Sequence, residues 1–154
     1  LKECCRLNLP GLPGSAFFGV FDGHAGAGAA KYAAQALVTE LVARLRHGIP
    51  VDADARSSSG RLSPGVAVSS WPPLVEDDTN TCIAQVLPEA FCSTDRRIAE
   101  QHNAAKKSAR YGYAPDPGCT ACTVLVTRDH YIFANLGDSR ALLSSGGRVA
   151  FETQ

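Results

Sequence analysis

A change of period at residue 22 frames the whole chain. Residues 15 to 21 read Ser-Ala-Phe-Phe-Gly-Val-Phe, an apolar run of strand length. From Ala25 onward, Ala30, Ala33, Ala34, Leu37, Val38, Leu41, Val42 and Leu45 recur at steps of three and four. The first pattern predicts a strand buried on both faces, deep in the fold. The second predicts an amphipathic helix whose alanine-rich side packs closely on a flat partner such as a sheet. Lys31, Gln35, Glu40, Arg44 and Arg46 fall on the other side, with Glu40 and Arg44 spaced for an i,i+4 pair. His47-Gly48, with Pro50 beyond, is a stop signal. Between strand and helix stand Asp22, Gly23 and His24, so a carboxylate, a glycine and an imidazole reach one turn together.

The length of 154 residues and 45% apolar content suit one domain with one core. Fifteen basic and fifteen acidic residues leave no net charge, so no electrostatic case exists for nucleic acid or an anionic membrane surface. No apolar stretch reaches the roughly 18 to 20 residues of a membrane span, and the N-terminus lacks the pattern of a secretory signal. A monomer is expected, soluble and intracellular, in the cytoplasm, the nucleus or both. There is no Met and the chain starts at Leu1, so a longer translation product is expected. The six cysteines (Cys4, Cys5, Cys82, Cys92, Cys119 and Cys122) invite a zinc or disulfide reading. Cys119 and Cys122, three apart in an expected strand, point to opposite faces, which is poor chelating geometry. Free thiols packed as small hydrophobes are the expectation.

Along the rest of the chain, Pro10-Gly11 and Pro13-Gly14 are turns leading into the first strand. Residues 48 to 76, with Ser57-Ser58-Ser59-Gly60, Pro64-Gly65 and Pro72-Pro73, lose all period and are expected as a mobile surface insertion whose exit Trp71 anchors. Asp77, Asp78 and Thr79 are cap residues for a second amphipathic helix to about residue 108, which Pro88 should kink or split. Asp95, Arg96, Arg97, Glu100, Lys106 and Lys107 are assigned to its solvated face. After a loop at 111 to 118, strand patterns follow at 120 to 127, 131 to 136, 140 to 143 and 148 to 151, with turns at Arg128-Asp129 and Ser144-Ser145-Gly146-Gly147. Such hairpins predict an antiparallel meander and an α+β fold, with helices laid against a sheet.

Two carboxylates carry candidate chemistry. Asp22 closes a strand, where it can cap the helix through its side chain or offer hard oxygen to Mg²⁺ or Mn²⁺. Gly23 would let the chain turn sharply enough for its carbonyl to join. Asp138, in Asn135-Leu136-Gly137-Asp138-Ser139-Arg140, sits at a glycine where a bulge or turn can aim it into a cleft, or where it simply pairs with Arg140. Two aspartates and one carbonyl are too few for a two-metal site, since each ion prefers about six oxygens. Further ligands would come from outside this chain or from water. A strand ending in Asp also suggests the nucleophile of haloacid-dehalogenase-type phosphatases, but His24 stands where that family has its second Asp, and the meander does not suit a parallel sheet.

Phe18-Gly19-Val20-Phe21-Asp22-Gly23-His24-Ala25-Gly26, followed by an Ala-rich helix, resembles the signature of metal-dependent serine/threonine protein phosphatases of the type 2C family. The resemblance continues through Leu87-Pro88-Glu89-Ala90-Phe91, Gly118-Cys119-Thr120-Ala121 and Phe133-Ala134-Asn135-Leu136-Gly137-Asp138-Ser139-Arg140-Ala141. It covers about residues 15 to 47 and 77 to 154, in order. It implies an αββα sandwich of two antiparallel sheets faced by helices, with a Mg²⁺ or Mn²⁺ pair in a cleft. Asp22 would bridge both metals, the Gly23 carbonyl would bind one, and Asp138 would serve a third, weaker site. His24 would act as general acid to the leaving oxygen of a phosphorylated protein, with a metal-activated water as nucleophile. Ala25-Gly26 replaces the usual glycine pair. The family's phosphate-gripping Arg and acidic pair on an earlier strand are unmatched by Glu3 and Arg6, and its later Asp-Gly and Asp-Asn segments lie beyond Gln154. Residues 1 to 154 are therefore expected to be an incomplete catalytic domain, inactive or nearly so alone. The competing expectation is a catalytically dead relative serving as an interaction or regulatory module.

Overall fold

The computed structural model describes residues 1–47, 66–73, 79–108 and 116–153. Its centre is a five-stranded antiparallel sheet built from β1 (Lys2–Leu7), β2 (Ala16–Phe21), β4 (Ala67–Trp71), β6 (Ala121–Val126) and β7 (Tyr131–Leu136), in the order β1-β2-β6-β7-β4. Helices α1 (Gly28–His47) and α2 (Thr79–Ser108) pack on each other. Both also pack on the sheet, α1 over β1 and β2, α2 over β4 and β7. Two short pairs complete the fold: β3 (Gly23–His24) with β5 (Gly118–Cys119), and β8 (Leu142–Ser145) with β9 (Arg148–Glu152). The α+β class expected from the patterns is the one observed.

Register explains which residues form the core. Phe17 lies opposite Leu125, and Leu125 opposite Ile132, so these three share the face under the helices together with Phe21. All four are at most 1% exposed, as are Leu41, Ile83 and Leu87 from the helices. Each such side chain contributes about 1.5–3 kcal/mol by leaving water. The alanine side of α1 (Ala30, Ala33 and Ala34) is buried in the same cluster, as its period predicts.

The other face of the sheet corrects an expectation. Phe18 and Val20 are 40% and 43% exposed, so β2 alternates instead of being covered twice. Only part of this outer face has a cover among the described residues. Phe151 of β9 stacks on Phe133 of β7 with ring centroids 4.7 Å apart, which sets the β8–β9 hairpin against it as the start of a second β-layer. Gly146 and Gly147, at φ +58° and +73°, close that hairpin in the left-handed geometry a two-residue turn requires.

Other differences have physical causes. β1 falls in a stretch read only as turns, because Lys-Glu-Cys-Cys-Arg-Leu has little apolar alternation and is made a strand by its pairing with β2. β4 lies within the expected insertion; its Trp71 packs against Tyr131, as an anchor should, at 6.4 Å between centroids. Residues 48–65, like the caps Asp77 and Asp78, lie outside the described residues. Pro88 does not divide α2, which runs through it. The meander is broken as well: among the described residues β7 pairs with β6 and β4, and β8 with β9 alone. Finally, Glu40 and Arg44 form the expected pair at 2.9 Å but do not face solvent. Arg44 also reaches Ser93 and Glu89, and Glu40 meets Arg97 at 3.0 Å, so the pair ties α1 to α2.

Candidate active site

The alternation of β2 ends at Phe21, whose buried ring pins the strand and delivers Asp22 to the rim of the sheet. Asp22 is exposed, its side chain about two-thirds open to water. Gly23 and His24 then pair with Cys119 and Gly118 in a two-residue ladder. The chain turns just afterwards, at Ala25 (φ +55°) and Gly26 (φ +113°), before α1 begins. Gly23 is therefore not the turning residue. What favours glycine there is closeness to the helix, because a Cβ would stand 3.0 Å from the Ala30 Cβ, tighter than an ordinary contact. Ala25 holds the left-handed conformation with a side chain attached, a cost of order 1–3 kcal/mol that its neighbours sustain.

His24 lies against Gly118. A Cβ on Gly118 would fall 2.5 Å from His24 Nε2, so the exposed imidazole rests on bare backbone at the rim. Behind β5 is a cavity of about 50 Å³ lined by Phe21, Leu37, Phe91, Ile98, Cys119 and Leu136. Burial there pushes the Cys119 thiol above its ordinary value, and the Asp95 carboxylate adds to the effect.

Asp138 arrives from β7 through Gly137, which turns at φ +100°. Arg140 does not pair with it; its guanidinium reaches Glu152 at 3.2 Å. Thr120, between β5 and β6, joins the two carboxylate loops. Its N–H donates to the Asp22 carbonyl at 2.8 Å, and its Oγ1 accepts from the Asp22 N–H at 3.3 Å and lies 2.8 Å from Ser139 Oγ. The Asp22-Gly23-His24 turn and Asp138, far from it in sequence, are thus linked at one end of the sheet. Thr120 and Ser139 were missed as candidates. Gly118-Cys119-Thr120-Ala121 was noticed as a motif, but a lone hydroxyl carries no periodic signal.

As a donor set this end suits a hard dication in kind, with two exposed carboxylates on linked loops and the Arg140 guanidinium turned to Glu152. In number it falls short: among the described residues no three His, Cys, Asp or Glu side chains are grouped to hold a metal. No described helix is long and apolar enough to cross a membrane.

Comparison with known proteins identifies the family. Residues 73–154 match the family described as Protein phosphatase 2C. The chain is 34% identical over 153 residues to Probable protein phosphatase 1N of Mus musculus, covering 99% of this chain and 29% of that protein. It is 30% identical to Protein phosphatase 1J of Rattus norvegicus, covering 86% of this chain and 27% of that protein. To Probable protein phosphatase 2C 59 of Arabidopsis thaliana it is 32% identical, covering 97% of this chain and 36% of that protein. The chain thus spans roughly a third or less of the length of these curated relatives. With the family match taking in α2 and both motifs downstream of it, and the relatives extending the likeness through β2 and α1, the chain belongs to the protein phosphatase 2C family.

Proposed function

We propose that the complete protein carrying this chain hydrolyses phosphoserine and phosphothreonine in intracellular proteins, using Mg²⁺ or Mn²⁺. The observation that carries the reading is the meeting of the Asp22-Gly23-His24 turn with the Asp138 loop at one end of the sheet, through Thr120. Family membership supports the phosphatase class; the metal and the residue roles are inferred from the donor set. Asp22, the Gly23 carbonyl and Asp138 would hold the ions, two of them shared with ligands from beyond these residues and a third, weaker one at Asp138. When bound, the ions would offset phosphate charge and lower the pKa of a water, so that no covalent phosphoenzyme is needed. His24, which rests on Gly118, would protonate the departing serine or threonine oxygen. The 154 residues alone are expected to be nearly inactive, because two carboxylates leave a dication short of ligands.

The test is Asp22→Asn in the complete protein, assayed on a phosphopeptide with Mn²⁺. Turnover is expected to fall about a hundredfold or more, the scale of several kcal/mol of lost charge stabilisation. Unchanged metal binding and turnover would remove the metal-ligand role from Asp22. A wild-type protein without Mn²⁺-dependent turnover would favour the regulatory module. For His24→Gln, the loss should be larger on phosphopeptide than on an activated aryl phosphate, whose leaving group needs no proton; equal losses would remove the acid role.

A further inference from the structure

We infer that Thr120 is a positioning residue that sets the Asp22 and Asp138 loops relative to each other, and thereby the affinity of the site for divalent metal. The inference rests on the metal reading above and assigns a role to a residue that touches neither substrate nor ion. Thr120 interrupts the run between β5 and β6, and its N–H and its hydroxyl are both used on the two loops. Its N–H and Oγ1 hold both backbone groups of Asp22, at 2.8 and 3.3 Å. A hydroxyl has one proton and two lone pairs. With one lone pair taken by the Asp22 N–H, the proton and the second lone pair both remain for Ser139 Oγ at 2.8 Å, and either hydroxyl can donate.

The methyl side of Thr120 meets the other loop from a second direction. A Cβ on Gly137 would come within 2.8 Å of Thr120 Cγ2 and 3.0 Å of its Cβ, so Gly137 is packed directly on this side chain. Asp138 is therefore bracketed, by Gly137 against the methyl and by Ser139 against the hydroxyl. One side chain fixes the residues on both sides of one carboxylate and the backbone of the other. Neither aspartate has a buried wall of its own, since both are exposed. Their separation then depends on this bridge, and partners of this kind affect metal affinity by about 10–100-fold when removed.

The experiment uses the complete protein and follows Mn²⁺ binding by calorimetry, with Thr120→Val, Thr120→Ser, Ser139→Ala and Asp22→Asn in parallel. Valine keeps the shape and the backbone bond but loses both hydroxyl contacts. It is expected to weaken Mn²⁺ binding about tenfold or more. Thr120→Ser, which keeps the hydroxyl, should stay within about threefold of wild type, and Ser139→Ala added to Thr120→Val should bring little further loss, because both remove the same bond. Urea unfolding without metal separates the alternative of a purely structural role, in which the midpoint would drop while Mn²⁺ affinity held. Mn²⁺ affinity of Thr120→Val within twofold of wild type, with Asp22→Asn abolishing binding, would overturn this inference and leave the metal reading standing. Binding unchanged in Asp22→Asn would overturn both. Should Thr120→Val fail to fold, Ser139→Ala alone decides: a weakening of several-fold supports the bridge and an unchanged affinity overturns it.

Discussion

The two faces of the five-stranded sheet are made of the same kinds of residue and have opposite environments. Under the helices, Phe17, Phe21, Leu125 and Ile132 are at most 1% exposed. On the other side, Phe18 and Val20 are more than a third exposed, and Leu7 at the edge is 66% exposed. Successive side chains of a strand point to opposite faces, so Phe17 and Phe18 differ only in the parity of their position. The difference teaches that an apolar strand reports what it can bury and not what covers it. Exposed apolar side chains grouped on one face make a surface that another element can cover, and Phe151 on Phe133 covers part of it.

The largest effect expected from breaking this comparison is at Phe21. Phe21→Ala should cost about 3–5 kcal/mol, enough to unfold a marginal domain, whereas Phe18→Ala in the same 154 residues should cost about 1 kcal/mol or less. Urea unfolding of the two variants reads the difference directly. Repeating the pair in the complete protein sharpens it. If a second sheet lies on the outer face, Phe18→Ala should become nearly as costly as Phe21→Ala there, and a cost that stays small would mean that the face remains open.

A smaller, local effect is expected where the outer face already has a cover. Phe151→Ala removes one ring of the stack at 4.7 Å, an interaction worth about 0.5–1.5 kcal/mol beyond the area it buries. The helix-side core does not depend on it. Amide exchange should therefore quicken in Leu142–Ser145 and Arg148–Glu152 while Leu125 and Ile132 keep their protection. Faster exchange across the whole sheet would instead mean that the hairpin and the main sheet open as one unit.

Legibility in the sequence follows the range of the forces involved. The period of α1, the hairpin of β6 and β7 about Arg128-Asp129, and the Asp22-Gly23-His24 turn are local patterns and could be read off directly. β1 and β4 could not. Lys2–Leu7 and Ala67–Trp71 carry weak alternation and become strands through partners far along the chain, Phe21 to Ala16 for one and Asn135 to Tyr131 for the other. Glu40 and Arg44 were legible as a pair but not as an interhelical tie, since nothing in an i,i+4 spacing announces Arg97. At the site the chemistry-bearing residues stood out as a motif, and what favours glycine at position 23 did not. It lies in the approach of Ala30, a contact no local pattern encodes. The bridge through Thr120 was hidden for the same reason.

The subtlest comparison of the two faces uses their thiols. Cys4 belongs to the core on the helix side, while Cys122, opposite Val20, lies on the outer face. Burial holds both above the ordinary thiol value of 9.0, partly offset for Cys4 by the Arg6 guanidinium. A raised folded-state pKa means that above about pH 9 the unfolded chain has released protons that the folded chain still holds. The contribution is complete below that pH and is lost as pH rises through the folded value. Under reducing conditions, the urea midpoint should fall between pH 8 and pH 10. Cys4→Ala and Cys122→Ala should each make that fall shallower. If Cys122→Ala does so as much as Cys4→Ala, the strands and side chains of the outer face keep its centre dry without a covering layer. If Cys122→Ala leaves the fall unchanged, water reaches that thiol, and the contrast between the faces extends to the middle of the sheet.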